Sequence, residues 1–238
     1  MHLLKKIFTA STGYWVHKLS TLPIGADLHV DIHDRLKFGP LKTIFDVGAN
    51  TGQTWEWFRN IEPTAKIYCV EPVSETFEEL KTKTRNDKNC ILENFAFGEL
   101  PGEKRIKLFD NSSLNSLKNI VMNSDSNAKE QTIKIITLDN YCNEKKITKI
   151  DLLKIDTEGY EIKVLEGAKQ MLSSANISMI YCEIGFLKGN NRNTNFGDLT
   201  EWLETKGYHF FGMYQLVSSN SKIEFGNALF VHQNVKNY

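Results

Sequence analysis

Residues Thr43–Gly52, TIFDVGANTG, contain the pattern that decides the fold of this chain. The apolar run Thr43–Val47 predicts a short buried strand, and the small residues after it predict a tight turn into a helix over 53–59. A second apolar run, Lys66–Val70, ends directly before the carboxylate of Glu71. An α/β protein holds a ribose-bearing cofactor in this way, because small residues let the backbone approach the ligand and the acid accepts hydrogen bonds from ribose hydroxyls.

The spacing of the small residues favours one class of cofactor over another. Gly48, Asn50 and Gly52 follow G-x-G-x-G spacing, and not the G-x-G-x-x-G spacing that seats a pyrophosphate on a helix N-terminus. Asn adopts positive φ more readily than most residues, so the turn can form with Asn50 in the middle. Asp46 would repel a pyrophosphate and suits a ligand with a cationic part, such as the amino group or sulfonium of S-adenosylmethionine. The alternative is a turn that binds no ligand.

The composition fits a globular protein of one large domain or two small ones. The chain has 238 residues, of which 41% are hydrophobic and 24% are charged, so it can bury a sizeable core. Lys plus Arg and Asp plus Glu both number 29, which gives no net charge. A neutral total offers no electrostatic footprint for nucleic acid, so we predict no nucleic-acid partner and leave the oligomeric state open.

Cysteine usage and hydropathy indicate a cytoplasmic protein. The four cysteines form no C-x-x-C pair, and three of them lie in apolar strand-like runs. We therefore predict structural thiols in a reducing compartment and no zinc site built from them. No apolar run reaches the roughly 18 residues of a transmembrane helix, and the N-terminal segment lacks the apolar core of a secretory signal. That segment is expected to form a helix packed on the domain, with peripheral contact to a membrane or a partner as the alternative.

The order of the segments predicts a doubly wound sheet. Residues 1–40 form an N-terminal extension with a His- and Asp-rich loop, LPIGADLHVDIH, and residues 41–238 form one domain. Within that domain helices alternate with the strand-like runs TIFDV, KIYCVE, CILENFAF, IDLLKID and SMIYCEI, which is typical of a parallel sheet. Two hairpins interrupt the alternation. One is an arm over 104–109 and 132–137 around a polar segment, and the other is a C-terminal pair separated by the turn LVSSNSKIEF.

A cluster of acids follows the strand over 150–153. Asp156, Glu158 and Glu161 occur within six residues, at the edge where doubly wound sheets bind ligands. Such acids raise one another's pKa, so one of them is a candidate general base, and two can share a divalent cation such as Mg²⁺. Alternatively, Glu158 and Glu161 are helix N-terminal acids and Asp156 is a cap. Glu183 ends another central strand and is a further candidate.

Several other residues could bind a metal, act as a base or stack on a cofactor, but we favour a structural explanation for each. His29 and His33 are spaced to hold a metal or act as a base if they lie on a helix, but a solvated loop is preferred. His209 alternates with aromatic residues in a predicted strand, which favours a structural role. Trp55 and Trp57 open the first helix, where core packing is favoured over stacking on a cofactor.

Several motifs together resemble one family, the FkbM-type S-adenosylmethionine-dependent methyltransferases. They occur in the family's order and cover residues 43–185 closely and 226–231 more weakly: DVGANTG, VEP at 70–72, NFAFG at 94–98, SLNSL at 113–117, TLD at 137–139, KIDTEGYE at 154–161, VLEGA at 164–168 and GNALFV.

The resemblance implies a fold, a cofactor and a set of site residues. The fold is the seven-stranded, Rossmann-like class I methyltransferase sheet with an antiparallel last strand. Four residues would surround the methionine part of the cofactor, Glu71 would hold its ribose, and the end of the third strand would lie along the adenine. Asp156 and Glu158 would face the transferred methyl group. The four residues are Asp46, Gly48, Asn50 and Gly52, and the residues on the adenine side are Asn94 and Ala96.

The resemblance also implies O-methylation of a hydroxyl on a small molecule or glycan, as in glycan biosynthesis. Residues 1–40 and the 110–130 loop are expected to determine the acceptor. Three alternatives remain at this point. They are a nucleotide-dependent oxidoreductase, a methyltransferase-fold interaction protein without catalysis, and a nucleic-acid methyltransferase, which the neutral charge disfavours.

Overall fold

The fold is described from a computed structural model, which defines residues 2–14, 18, 21–108, 129–187 and 192–235. In chain order the helices are α1 His2–Thr12, α2 Leu28–Val30, α3 Gln53–Ile61, α4 Ser74–Thr84, α5 Leu138–Lys145, α6 Glu161–Glu166, α7 Lys169–Ser173 and α8 Phe196–Glu204. The strands are β1 Thr43–Val47, β2 Lys66–Val70, β3 Cys90–Glu93, β4 Ala96–Phe97, β5 Gly102–Lys107, β6 Glu130–Ile136, β7 Ile150–Ile155, β8 Ile177–Gly185, β9 Tyr208–Ser219 and β10 Lys222–His232.

Seven strands form a mixed sheet in the order β3-β2-β1-β7-β8-β10-β9. The first five of these run parallel, and β10 pairs antiparallel with both β8 and β9. The strand order reverses between β1 and β7, which creates the switch point where such sheets bind ligands. The predicted doubly wound sheet with an antiparallel last strand is therefore confirmed.

Each face of the sheet is covered by an apolar core. Along β1, Phe45 packs on one face, where it stacks on Tyr68 with ring centroids 4.5 Å apart, and Ile44 packs on the other. Along β7, Leu153 and Leu152 alternate between the same two faces. Burial on both faces explains why these strands are continuous apolar runs in the sequence.

The third predicted strand, CILENFAF, is two strands. β3 ends at Glu93, and β4 begins at Ala96 in a separate three-stranded sheet with the order β4-β6-β5. The predicted arm over 104–109 and 132–137 corresponds to the antiparallel pair β5–β6 in this second sheet. Most of the polar segment between these strands, with the SLNSL motif, lies at 109–128, outside the described residues.

Two further boundaries differ from the sequence expectation. The sequence pattern over 159–172 favours one helix, but the structure has two, α6 and α7, separated by Gly167 and Ala168. Glycine is needed at 167 because a Cβ there would meet the carbonyl oxygen of Gly98 at 2.1 Å. The C-terminal polar turn is much shorter than LVSSNSKIEF. The strands β9 and β10 continue until only Asn220 and Ser221 remain between them, both with positive φ, as a tight hairpin turn requires.

The His- and Asp-rich loop expected over 22–33 is partly helical. Asp27 caps α2 by accepting a hydrogen bond from Val30 N, and a π-helical turn over Asp31–Arg35 follows directly. Leu28, Ile32 and Leu36 are buried in the core beneath the sheet. The solvated loop expected around His29 and His33 is therefore wrong, because these three apolar residues are spaced four apart and draw the segment onto the sheet.

The N-terminal segment forms the expected helix, α1, and among its described side chains Phe8 is 45% exposed. All four cysteines are free thiols, and Cys69, Cys142 and Cys182 are buried. Among the described residues, no helix has the length and hydropathy needed to cross a membrane.

Candidate active site

Strand register brings the predicted site residues to one edge of the sheet. Val47 pairs with Val70 on one side of β1 and with Ile155 on the other, and Ile155 pairs in turn with Cys182. The residues that follow these paired positions therefore lie side by side. They are Gly48, Glu71, Asp156 and Glu183, of which Glu183 is still within β8 because that strand continues to Gly185.

Glycine is required at position 48 because the backbone of Asp156, directly after β7, lies against it. Gly48 has φ +76°, and a Cβ there would lie 1.8 Å from the carbonyl oxygen of Asp156. Asn50 adopts φ 49°, so the tolerance of Asn for positive φ that the sequence suggested is used here. Gly52 has φ +84° at the N-cap of α3, and its Cβ would meet Leu80 Cδ1 at 2.8 Å. Gly52 thus shapes the turn without lining the cavity.

Glu71 is a buried carboxylate fixed by two backbone donors. Asn50 N donates to its Oε2 at 3.0 Å, and Val73 N donates to its Oε1 at 2.9 Å. Burial raises the pKa of Glu71 to about 7, although both hydrogen bonds favour the ionised form. A carboxylate oxygen accepts more than one hydrogen bond, so each oxygen retains capacity to accept another from a ligand. Asn94 Nδ2 donates to the carbonyl oxygen of Glu71 at 2.9 Å, and Asn94 therefore supports this loop from outside the cavity.

Asp46 lies behind the turn as half of a buried ion pair. Its side chain is fully buried, and Lys154 Nζ lies 2.8 Å from its Oδ1. Lys154 also donates to the carbonyl oxygen of Gly48 at 3.0 Å and lies 3.6 Å from Asp156 Oδ2. Burial alone would lower the pKa of Lys154, but the charges of Asp46 and Asp156 raise it, so the ammonium stays charged. Asp46 therefore supports the turn indirectly, because it holds Lys154, which donates to the carbonyl oxygen of Gly48.

Three carboxylates meet at the open end of the edge. Asp156, Glu158 and Glu183 each offer an oxygen within 4.8 Å of the others. Burial and the neighbouring acids Asp156, Glu158 and Glu161 raise the pKa of Glu183 to about 9. Burial raises the pKa of Glu158 to about 7, against the effect of Arg192, whose Nη2 lies 3.1 Å from Glu158 Oε2. The cluster therefore holds a proton near neutral pH and can exchange it with a ligand.

Glu161 organises the loop that carries Asp156 and Glu158. Its side chain is fully buried, where Oε1 accepts from Thr157 N at 2.9 Å and from Gly159 N at 3.0 Å, and Oε2 accepts from Thr194 Oγ1. These bonds fix a loop in which Glu158 adopts φ +53°. A bulky residue rarely adopts this conformation, and strain of this kind is concentrated at functional sites. Glu161 is thus a positioning residue and, as the first residue of α6, also the helix N-terminal acid that the sequence left open.

These residues enclose a cavity of about 510 Å³ that is rich in acid. Seven of the predicted site residues line it: Gly48, Asn50, Glu71, Ala96, Asp156, Glu158 and Glu183. Asp46, Gly52 and Asn94 do not line it. Glu224 adds a further acid and Arg192 is the single base among the described lining residues, so the cavity favours a ligand with positive charge.

Several lining residues were missed by sequence reasoning. Phe95 and Phe97 supply an apolar wall beside Ala96, and the NFAFG motif already contained them. Asn193 Nδ2 donates to Glu183 Oε2 at 2.7 Å, and Arg192 meets Glu158 as described. Both belong to a polar stretch that has no periodic pattern, so no sequence signal indicated them. Lys154 had a usable signal, because a lysine within an apolar strand must find a buried partner.

Comparison with known proteins identifies the family. The methyltransferase FkbM domain matches residues 46–210, which is more than half of the chain. The chain belongs to the FkbM methyltransferase family. The family resemblance found from the sequence motifs and the methyltransferase class are therefore confirmed.

One curated relative and two solved structures are similar to this FkbM-family chain. The 2-O-methyltransferase NoeI of Sinorhizobium fredii (strain NBRC 101917 / NGR234) is 27% identical over 159 residues, which cover 60% of this chain and 63% of that protein. The crystal structure of methyltransferase FkbM from Methylobacillus flagellatus KT matches 82% of this chain and 44% of its own, with a TM-score of 0.57 and 15% identity. The METTL16 methyltransferase domain matches 99% of this chain and 78% of its own, with a TM-score of 0.50 and 11% identity. At these identities the two structures support the class I methyltransferase fold alone.

Proposed function

We propose that this chain is an S-adenosylmethionine-dependent O-methyltransferase that acts on a hydroxyl group of a sugar or glycan. The proposal rests on one cavity. The buried acid Glu71, which we assign to the ribose, lies at one side of this cavity, and the acids Asp156, Glu158 and Glu183 lie at the other. The similarity to NoeI, a 2-O-methyltransferase, supports oxygen as the methylated atom.

The residues of the cavity fit the cofactor. Glycine at 48 lets the turn approach the backbone of Asp156, and Gly48 itself lines the cavity, where a ligand can reach it. The Glu71 carboxylate is suited to accept hydrogen bonds from the two ribose hydroxyls, and the wall of Phe95, Ala96 and Phe97 is suited to an adenine ring. When bound, S-adenosylmethionine supplies a methyl group on a cationic sulfur, which an acid-rich cavity stabilises.

The acid cluster is suited to bind and deprotonate an acceptor hydroxyl. Asp156 has a side chain 38% exposed, so a ligand in the cavity can reach it. Glu183 is held by Asn193 and Glu158 by Arg192, which leaves these carboxylates oriented before a ligand arrives. A carboxylate oxygen of the cluster accepts the hydroxyl proton, which makes the acceptor oxygen more nucleophilic. Two of the same acids can instead hold Mg²⁺, which would lower the pKa of a coordinated hydroxyl.

The alternatives lack a comparable observation. A nucleotide-dependent oxidoreductase would need to seat a pyrophosphate in a cavity lined by five acidic side chains, which disfavour it. An interaction protein without catalysis would have no use for three converging acids, of which Glu158 and Glu183 have raised pKa values. The zero net charge continues to disfavour a nucleic-acid substrate.

Substrate selection and location remain proposals. We assign acceptor selection to residues 1–40 and to the 110–130 segment, and the methyltransferase domain to 41–238. Leu28, Ile32 and Leu36 are part of the core, so a truncation that tests this division should begin before Leu28. A cytoplasmic location is also proposed.

The central test is cofactor binding followed by transfer. Native mass spectrometry and calorimetry of the purified chain should detect one bound S-adenosylmethionine or S-adenosylhomocysteine, and no binding of NADH. Radiolabelled methyl transfer to a panel of oligosaccharides then tests the acceptor. Binding of NADH alone, or of no cofactor by a folded chain, would contradict the proposal.

Glu71→Ala is expected to weaken cofactor affinity without unfolding the domain. Hydrogen bonds to a charged group are worth about 1.5–3 kcal/mol, so the Kd should rise roughly 10- to 150-fold. Calorimetry with S-adenosylhomocysteine should be carried out at pH 8.5, where Glu71, with a pKa of about 7, is ionised. Glu79→Gln, on the exposed face of the neighbouring helix, is the matched control. Unchanged affinity in a folded Glu71→Ala variant would remove the ribose assignment.

Stability and turnover are expected to change in opposite directions with pH. The folded-state pKa of Glu183, about 9, exceeds its ordinary value of 4.5, so the folded protein binds the extra proton. Stability should therefore fall as pH rises from about 4.5 to 9, whereas turnover should rise as the cluster loses its proton. Urea midpoints measured from pH 6 to 9 should show a smaller decline for Glu183→Gln than for the parent protein or Glu79→Gln. A slope that Glu183→Gln leaves unchanged would contradict this assignment of the proton.

A further inference from the structure

A second cluster of potential ligands lies away from the cavity, at the far end of α3. His29 belongs to α2, His33 to the π-helical turn, and their ring centroids are 4.4 Å apart. Glu62 follows α3 as its C-cap residue. The methyltransferase chemistry uses none of these three residues.

The contacts of His33 require a proton or a metal ion between its ring and Glu62. Nδ1 lies 3.0 Å from the carbonyl oxygen of Phe38, and Nε2 lies 2.6 Å from Glu62 Oε1. A carbonyl oxygen only accepts hydrogen bonds, so Nδ1 carries a proton. In the neutral ring Nε2 then presents a lone pair to a carboxylate oxygen. That contact is favourable only when a proton or a metal ion lies between the two atoms.

His29 provides the observation that distinguishes these two cations. Its Nδ1 is buried and has no hydrogen-bond partner. One ring nitrogen of each histidine and one carboxylate oxygen of Glu62 all lie within 4.8 Å of one another. A proton shared by His33 and Glu62 leaves the cost of burying His29 Nδ1 uncompensated, whereas a metal ion bound by that nitrogen would offset it.

We propose that His29, His33 and Glu62 bind a zinc ion. Two imidazoles and one carboxylate are a ligand set that suits Zn²⁺, with water in the fourth position. Tetrahedral ligands about 2.1 Å from the metal lie about 3.4 Å from one another, so Glu62 must move away from His33 by less than 1 Å. The carbonyl oxygen of Phe38 fixes the His33 tautomer, and Leu41 N donates to Glu62 Oε2 at 3.2 Å, which are the supporting contacts that zinc ligands usually have.

Zinc at this position joins the segment around residues 28–38 to α3, the helix that follows the turn over 48–52. α3 starts at the Gly52 N-cap and ends next to Glu62. The ion therefore stabilises the packing of the N-terminal segment on the sheet and makes no contact with the cavity.

The test is zinc binding by the full chain after it is stripped with a chelator. Competition with a chromophoric zinc indicator should give one high-affinity zinc ion per chain. Zinc at a hundredfold excess over its Kd should raise Tm by roughly 5–10 °C. His29→Gln is the decisive variant, because it keeps the His33–Glu62 pair and removes only the metal ligand. It should weaken zinc affinity at least tenfold and reduce the Tm rise at the same zinc concentration to about half or less, while the Tm without zinc stays close to that of the parent protein.

Two controls separate this site from other zinc ligands. His209→Gln removes an exposed histidine outside the cluster, and Cys90→Ser removes a thiol whose Sγ lies 3.7 Å from that of Cys69. Both should bind zinc as the parent protein does. No zinc binding by the folded parent chain, or binding that His29→Gln retains, would overturn the proposal. Binding lost only in Cys90→Ser would also overturn it and would assign the metal to the thiols.

Discussion

Asp156→Asn, Glu158→Gln and Glu183→Gln are each expected to lower turnover with little change in cofactor affinity. These substitutions keep the side-chain shape and remove the charge. Loss of a positioned base costs about 10²–10⁴-fold in rate, and the variant that removes the proton acceptor should show the full loss. Turnover is measured as methyl transfer to an authentic acceptor, and affinity by calorimetry with S-adenosylhomocysteine.

Chelators distinguish the two roles of these acids. If EDTA abolishes turnover and Mg²⁺ or Mn²⁺ restores it, the acids are metal ligands and not the base. Added zinc should not restore turnover through this cluster, because carboxylates alone are poor zinc ligands. Turnover close to that of the parent protein in all three variants would show that the reaction takes place elsewhere. The exposed Glu79→Gln serves as the control for charge loss in general.

Lys154→Met is expected to have the largest effect on stability. It leaves Asp46 fully buried without its ammonium partner, and breaking a buried ion pair on one side costs about 3–5 kcal/mol. It also removes the donor to the carbonyl oxygen of Gly48, so the turn after β1 loses a supporting hydrogen bond. Urea denaturation followed by circular dichroism measures the change in the free energy of unfolding.

The double variant Asp46→Leu/Lys154→Met tests the cause of this loss. Replacing both charges with apolar side chains removes the uncompensated carboxylate, so most of the lost stability should return. Cofactor affinity should remain reduced in the double variant, because the carbonyl oxygen of Gly48 still lacks its donor. A double variant no more stable than Lys154→Met would show that Lys154 stabilises the fold by some other contact.

The sheet and much of the site could be predicted because their signals are local. Gly48, Asn50 and Glu71 belong to a strand–turn–helix–strand unit in which spacing along the chain fixes proximity in space. Asp156 directly follows a buried apolar strand and Glu183 lies near the end of another, and parallel strands end at the same edge. The prediction for the end of the third strand was less complete. Ala96 lines the cavity, but Asn94 supports the loop at Glu71 because the chain changes sheets between them.

The remaining parts of the site depend on contacts between distant segments. Arg192 and Asn193 reach the acids from an irregular stretch, and Thr194 reaches Glu161 from the same stretch. Neither composition nor periodicity encodes such contacts. Lys154 pairs with Asp46 because the two strands are neighbours in register, which the sequence leaves unspecified.

The position of β10 has a consequence for the order in which the protein assembles. Within the sheet β9 is bonded only to β10, although β9 precedes β10 along the chain. During synthesis β9 therefore leaves the ribosome before the strand that attaches it exists, and β8 has an unpaired edge until then. Glu224 and Phe225 of β10 also line the cavity, so the pocket is completed only when this late strand inserts. The nascent chain thus has the five parallel strands of the main sheet and the glycine turn after β1 before it has a closed cavity.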